Sequence, residues 1–358
     1  MGGSFLFVLD SAFASRVYLD ACGSLSVVYD PTQKRVAATS LQLLTPEQSE
    51  ARFQSEMHDS LGILVEGWFP AGLTAHSGIY RLMPNFYLDL KRFTTHRHWP
   101  NGEIVRTDDP VAACNIIGDS TRDVIAALRN DGGINVALTS GNETRMLLGM
   151  CRDFAEDVQF FTVEASEVDV ARSIELAERF HLKHRMLSVP RASEEDQHDW
   201  YARTGYAFGG DQISTHGVTR GFADRPYYIG GLGGEIGRGF FWRPTDNDST
   251  KVTPEGIWAR MGMPRHQEAM DAVTEWRTSV EGWPGLQQLD LAYLEIHMGC
   301  WGFAASYANI TPISIHPLIS RRSVAAMLSL PPEWRRRQQG SNPMIKEVIR
   351  QHWPELLE

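Results

Sequence analysis

The run Ile134-Asn135-Val136-Ala137-Leu138-Thr139-Ser140-Gly141-Asn142-Glu143-Thr144-Arg145 constrains this chain more than any other stretch. Its apolar, β-branched first half reads as a strand, and the small hydroxyl and glycine residues that follow allow a tight turn. A helical pattern then occupies residues 145–154, so the unit is a strand, a loop and a helix N-terminus. Backbone N–H groups and the positive end of the helix dipole converge at such a junction, which makes it an anion site. No Gly-Lys-Ser/Thr follows the glycine, which excludes a Walker loop.

The surrounding text alternates in the same way. Ser120 is placed to cap a helix over residues 121–129, with Val124, Ile125 and Leu128 on one face. A second strand is expected at 158–163, followed by a helix started by Ser166 or Asp169 and carrying Val170, Ile174 and Ala177 on one stripe. Further strands are expected at 185–189 and Tyr227–Ile229. Together these predict an α/β fold with a doubly wound, mainly parallel sheet, whose ligands sit beyond the carboxyl ends of the strands. Beyond Gly239 the text is largely helical. Up to about residue 100 it is strand-like and turn-rich instead, with segments at 16–20, 26–29 and 35–39 that read as a small antiparallel meander, and with 5–9 and 81–90 as further extended segments. The division is a small β-rich domain over 1–100 and an alternating α/β domain over 101–358.

Charge and cysteine usage narrow the function. A formal net charge of -10 argues against general binding to nucleic acid or anionic membranes. The run Arg335-Arg336-Arg337 reads as a solvated helix surface. Cys22, Cys114, Cys151 and Cys300 are scattered, with neither a disulfide framework nor zinc spacing. No apolar stretch reaches the ~20 residues of a membrane span, and residues 5–9 lack a basic leader before them. A soluble, cytoplasmic protein is expected. His216, His297 and His316 lack ligand spacing and are read as structural or substrate-lining. Glu295 is a further candidate, for orienting an amine.

A second glycine cluster, Gly230-Gly231-Leu232-Gly233-Gly234-Glu235-Ile236-Gly237-Arg238-Gly239, follows the Tyr227–Ile229 strand. It is not a dinucleotide fingerprint, because Ile236 stands where the third glycine is required. The two loops together resemble the synthetase domain of the asparagine synthetase family, which includes β-lactam synthetases and lasso-peptide cyclases. Leu138-Thr139-Ser140-Gly141-Asn142-Glu143-Thr144 is similar to that family's Leu-Ser-Gly-Gly-x-Asp-Ser pyrophosphate loop. Residues 230–239 are similar to its Ser-Gly-x-Gly-x-Asp-Glu loop, with either one deletion or the loss of one acid of the usual pair. Met83-Pro84-Asn85-Phe86-Tyr87-Leu88, His316-Pro317-Leu318 and Lys346-Glu347-Val348-Ile349-Arg350 resemble further elements, in the family's order, across residues 80–358.

The resemblance implies an adenine nucleotide α-hydrolase-like fold and the cofactors ATP and Mg²⁺. Thr139, Ser140, Gly141 and Thr144 would cradle the pyrophosphate, aided by Gly230, Gly231 and Gly233. Leu138 and Val163 would contact the adenosine. Glu143, in place of the family's aspartate, and Glu235 would hold Mg²⁺. Lys346 would stabilise the oxyanion formed when an amine opens an acyl-adenylate, with Glu235 as the second catalytic group. Glutamine-using members carry a cysteine after the initiator methionine, whereas position 2 here is Gly. Residues 17–25 and 36–40 still resemble a shortened glutaminase-like domain. The expected activity is therefore ATP-dependent amide formation from a small-molecule or peptide carboxylate and an amine or ammonia, in a chain free to form a homodimer. The alternative is a nucleotide-binding scaffold that has lost turnover.

Overall fold

The computed structural model describes residues 4–65, 67–188, 192–209, 224–307, 312–336 and 342–358. In the first hundred residues, alternation of apolar and polar positions makes short antiparallel strands, but they divide between two sheets. Strands β1 (Leu6–Asp10), β2 (Ser15–Leu19), β6 (Phe86–Asp89) and β7 (Thr94–Arg97) form one sheet in the order β1-β2-β6-β7. Strands β3 (Val28–Asp30), β4 (Arg35–Ala37) and β5 (Tyr80–Arg81) form another, in the order β4-β3-β5. The expected single meander is thus corrected. The buried carboxylate of Asp20 turns the chain out of β2 by accepting from the N–H groups of Cys22 (3.0 Å) and Ser24 (3.1 Å) and from the Ser24 hydroxyl (2.7 Å). Gly23, at φ +65°, completes that turn in a region open to glycine.

The remainder is α/β. Strands β8 (Ile134–Ala137), β9 (Gln159–Val163), β10 (His184–Leu187), β11 (Tyr227–Ile229) and β12 (Ile313–Ile315) form a five-stranded sheet in the order β10-β9-β8-β11-β12. Every pairing in it is parallel. The expected strands are present, and β12 is an addition. The helix before β8 starts earlier than its expected Ser120 cap, running over Pro110–Asn130. Asp109 caps it by accepting from Ala112 N–H at 2.9 Å, and Pro110 takes the first-turn position where no N–H is needed.

The main core joins both parts of the chain. Cys22, Trp68 and Phe69 from the first hundred residues belong to the same buried cluster as Val136, Leu147 and Phe303. A buried polar link crosses the same boundary. The Glu295 carboxylate, fully buried, accepts from Asn85 Nδ2 (2.8 Å), from both terminal nitrogens of Arg97 (2.5 and 2.7 Å) and from Trp276 Nε1 (2.7 Å). With its lone pairs committed in this way, Glu295 is a structural group here, not one that orients an amine. Among the described residues no helix is long and apolar enough to cross a membrane.

Buried histidines, His76 and His316 among them, set an acid limit on stability. Burial pushes His76 and His316 down to about 4, so both are neutral in the fold at pH 7. Between about pH 6.5, where unfolded histidine protonates, and about 4, the unfolded chain binds more protons. Stability is therefore whole above that window and falls as pH drops through it, by up to about 1.4 kcal/mol per unit for each histidine. Urea midpoints at pH 7 and pH 5 measure this, and His316→Gln should flatten the dependence. Equal midpoints would contradict it.

Candidate functional site

The sheet order places a topological switch at β8. The chain leaves β8 for β9 on one side and later returns through β11 on the other, so the loops after β8 and β11 diverge beside each other at the carboxyl edge. That is where an open parallel sheet forms its crevice.

The first loop ends in Gly141, which stands at the cap position of the helix Asn142–Met150 with no side-chain cap. The Thr139 and Thr144 hydroxyls lie 2.8 Å apart, Thr144 Oγ1 donates to Gly141 O (3.0 Å), and Gly141 N–H donates to Thr139 Oγ1 (3.1 Å). These contacts hold the loop tight against the helix N-terminus, the anion-attracting geometry expected from the sequence. Ser140 behaves differently from that expectation. Both its N–H (2.8 Å) and its hydroxyl (2.5 Å) donate to Asp169 Oδ1, from the first turn of the next helix, Glu167–Arg179. Its donors are engaged by the protein.

The second loop closes directly on the first. A Cβ on Gly231 would come within 3.1 Å of Glu143 Cβ, and one on Gly234 within 2.3 Å of Glu143 Cγ. At Gly234 a side chain would force Glu143 to move, and at Gly231 the fit is tight. A Cβ on Gly230 would strike the His316 ring (2.7 Å), and one on Gly233, already at φ +95°, would strike Ile319 Cγ2 (2.7 Å). His316-Pro317-Leu318 thus packs beneath the second loop. Gly234→Ala should displace the Glu143 carboxylate by about an ångström, and the affinity for the nucleotide expected from the sequence should then fall on the order of 100-fold. Equilibrium nucleotide titration checks this, and an unchanged affinity would remove Glu143 from the site.

Glu143 and Glu235 stand near enough to act on each other's charge, with side chains only 17% and 19% exposed. Between them lies Arg238, at the end of the turn Gly234–Arg238. Its Nε is 2.9 Å from Glu143 Oε1 and its Nη2 3.9 Å from Glu235 Oε1. The Nε–H does not point along the closer axis, so neither Nε nor Glu143 Oε1 completes a hydrogen bond. Glu235 Oε2 accepts from Gly233 N–H at 3.2 Å. Burial raises the Glu235 pKa above its usual range, the Glu143 charge raises it further, and Arg238 opposes both. A pair of acids in this state attracts cations. It fits Mg²⁺, which commonly takes one or two protein carboxylates and completes its shell with phosphate oxygens and water. Among the described residues no group of three or more His, Cys, Asp or Glu forms a self-sufficient metal centre.

The other expected residues are dispersed. Leu138 is fully buried, its N–H donating to Phe161 O (2.8 Å) and its carbonyl accepting from Thr162 Oγ1 (2.6 Å), so its side chain belongs to the core. Val163 ends β9 half-buried, beside Ala137, Phe161, Leu187 and Tyr228. Lys346 lies on the helix Pro343–His352 and lines a recess of about 150 Å³ with Trp334, Pro343, Glu347 and Arg350, which neither site acid lines. His297 sits among aromatic rings, 4.4 Å from Trp68 and 5.1 Å from Tyr293. His216 and Arg337 lie outside the described residues.

Three contributors escaped the sequence analysis. Asp169 is expected from the sequence only as a helix start, and Arg238 carries no expected role; an arginine three residues after the acid of a glycine-rich run is the available signal for the latter. The third is Arg335, which is not solvated. It makes two 2.7 Å bonds to the buried Asp290 carboxylate and a third to Ile236 O, fixing the turn that carries Glu235. Arg336 likewise donates to the carbonyls of Arg243 (3.2 Å) and Asp246.

The sequence matches no protein-family model and no curated protein. Among solved structures, NMN synthetase from Francisella tularensis is similar at 11% identity and a TM-score of 0.26, over 55% of this chain and 92% of that one. A likeness of that size carries no weight for fold or function.

Proposed function

We propose that this protein is an ATP-dependent, AMP-forming carbon–nitrogen ligase with asparagine synthetase-like chemistry. The observation that carries the proposal is the meeting, at the switch point of a parallel sheet, of a helix N-terminus without a side-chain cap and two facing carboxylates, Glu143 and Glu235. A substrate carboxylate oxygen attacks the α-phosphorus of ATP, and the bond to the β-phosphate oxygen breaks to release pyrophosphate. An amine nitrogen then attacks the acyl carbon, loses a proton, and displaces AMP. Backbone N–H groups after Gly141, ordered by Thr139 and Thr144, orient the phosphates. Glu143 and Glu235 would hold Mg²⁺, which when bound neutralises phosphate charge. The placement of Lys346 gives no support to an oxyanion role for it.

The first hundred residues serve, on this reading, as a glutaminase-like remnant that supports the site. Cys22 is completely buried, and burial pushes its thiol well above the usual range, so it offers no nucleophile for glutamine. The nitrogen then comes from a substrate amine or ammonia. A second reading, a nucleotide-binding scaffold without turnover, is favoured by two observations: Ser140 is engaged by Asp169, and Glu143 is neutralised by Arg238. Pyrophosphate exchange and AMP release, measured with Mg²⁺-ATP and a panel of carboxylates and amines, separate the two. AMP formation supports the ligase. ATP binding without AMP from any pair supports the scaffold, and no ATP binding overturns both.

A further inference from the structure

Arg238 has no part in the chemistry written above, yet among the described residues it is the cation that pairs with both acids. Its side chain is one-third exposed, its guanidinium carbon stands 5.4 Å from the centre of the Phe240 ring, and its nearest anion is Glu143. The contact with Glu143 is short without being aligned, which leaves the pair bound by charge and not locked by a directional bond. Phe240 is 45% exposed, so the guanidinium rests on a ring that itself borders solvent.

We infer that Arg238 is a polyphosphate-binding residue that holds the two acids in the nucleotide-free protein and moves onto the β- and γ-phosphates when ATP enters with its metal. A guanidinium and a divalent cation compete for the same Glu143 carboxylate, because each is attracted to it and they repel one another. The incoming phosphates supply the alternative anion, and a planar guanidinium binds phosphate oxygens through paired N–H groups. The same contact then follows the charge that pyrophosphate acquires as it leaves. This extends the ligase reading and depends on it only in taking ATP as the ligand.

The test compares the full-length protein with Arg238→Gln and Arg238→Lys in two titrations, after thermal melts establish that each variant is folded. The first uses α,β-methylene-ATP with Mg²⁺, so that no turnover is needed. Arg238→Gln is expected to weaken binding about 10- to 100-fold, the scale of a lost hydrogen bond to a charged group, and Arg238→Lys to recover part of it. The second uses Mn²⁺ alone, which Arg238→Gln is expected to bind several-fold more tightly because no guanidinium competes. A merely structural arginine would not tighten metal binding. Nucleotide affinity equal to the parent's in Arg238→Gln overturns the inference and leaves the ligase reading standing, as does unchanged Mn²⁺ affinity. If the parent itself fails to bind the analogue, both fall.

Discussion

Glu143→Gln is expected to lower the proposed AMP-forming turnover by about 100- to 1,000-fold, the scale on which removal of one preorganised electrostatic partner acts. The amide keeps the shape that fits against Gly231 and Gly234, so the loops remain closed and the change is one of charge. A second readout separates this effect from damage to the fold. The Glu143 charge is one of the causes that raise the Glu235 pKa, and Arg238 opposes it. With Glu143 neutral, that contribution disappears and Arg238 is free to pair with Glu235 alone. The Glu235 pKa then falls, and the acid limb of the pH–rate profile moves to lower pH. If Glu235 acts ionised, activity is present above its pKa and lost as pH falls through it, so residual activity in the variant persists further into acid. Turnover and profile both equal to the parent's would sink the assignment of these two acids.

Glu295→Ala should be the most destabilising single substitution in the polar interior, at about 3–5 kcal/mol. The removed carboxylate accepts from Asn85, Trp276 and both terminal nitrogens of Arg97. Its loss leaves Arg97, only 12% exposed, as an uncompensated charge between the rings of Phe86 (4.5 Å) and Trp283 (5.5 Å). Asn85 is also bonded to Arg321 at 2.7 Å, so the damage extends along the boundary between the antiparallel sheets and the helical part. The exposed pair Arg152–Glu355 provides the contrast, since breaking it should cost no more than about 1 kcal/mol. Equilibrium urea unfolding of both variants measures the difference. Equal losses would show that the Glu295 network contributes no more than a surface pair.

Much of the parallel sheet was legible because its strands are short apolar runs bounded by turn residues, and because glycine and hydroxyl residues mark the loop after β8. β12 was not, since three residues, Ile313–Ile315, carry no periodicity of their own and become a strand only by pairing with β11. The early meander failed for a related reason. Alternation marks β2 and β3 as strands but does not say that β2 pairs with β1 and β6 while β3 pairs with β4 and β5. The helix Pro110–Asn130 was truncated because Ser120 looked like a cap, although Asp109-Pro110 carried the stronger signal. Inside that helix, Gly118 lies under His352, whose Nε2 would be 2.1 Å from a Cβ, a tertiary contact with no local trace.

By itself the sequence determined that a strand, a tight loop and a helix N-terminus stand at residues 134–145, because those properties are local: apolar β-branched residues, small turn formers and a helical stripe. It also determined that a glycine-rich loop carrying one acid follows Tyr227–Ile229. Only the tertiary structure decided what these pieces are to each other. Placing β11 beside β8 brought Gly231 and Gly234 onto Glu143, Glu235 opposite it, and Arg238 between the two acids. It also gave Ser140 to Asp169 and set Lys346 in a recess with Trp334, Glu347 and Arg350. Charge and hydrogen bonding act over a few ångströms of space, and the distances that matter here join residues separated by up to about a hundred positions in the chain.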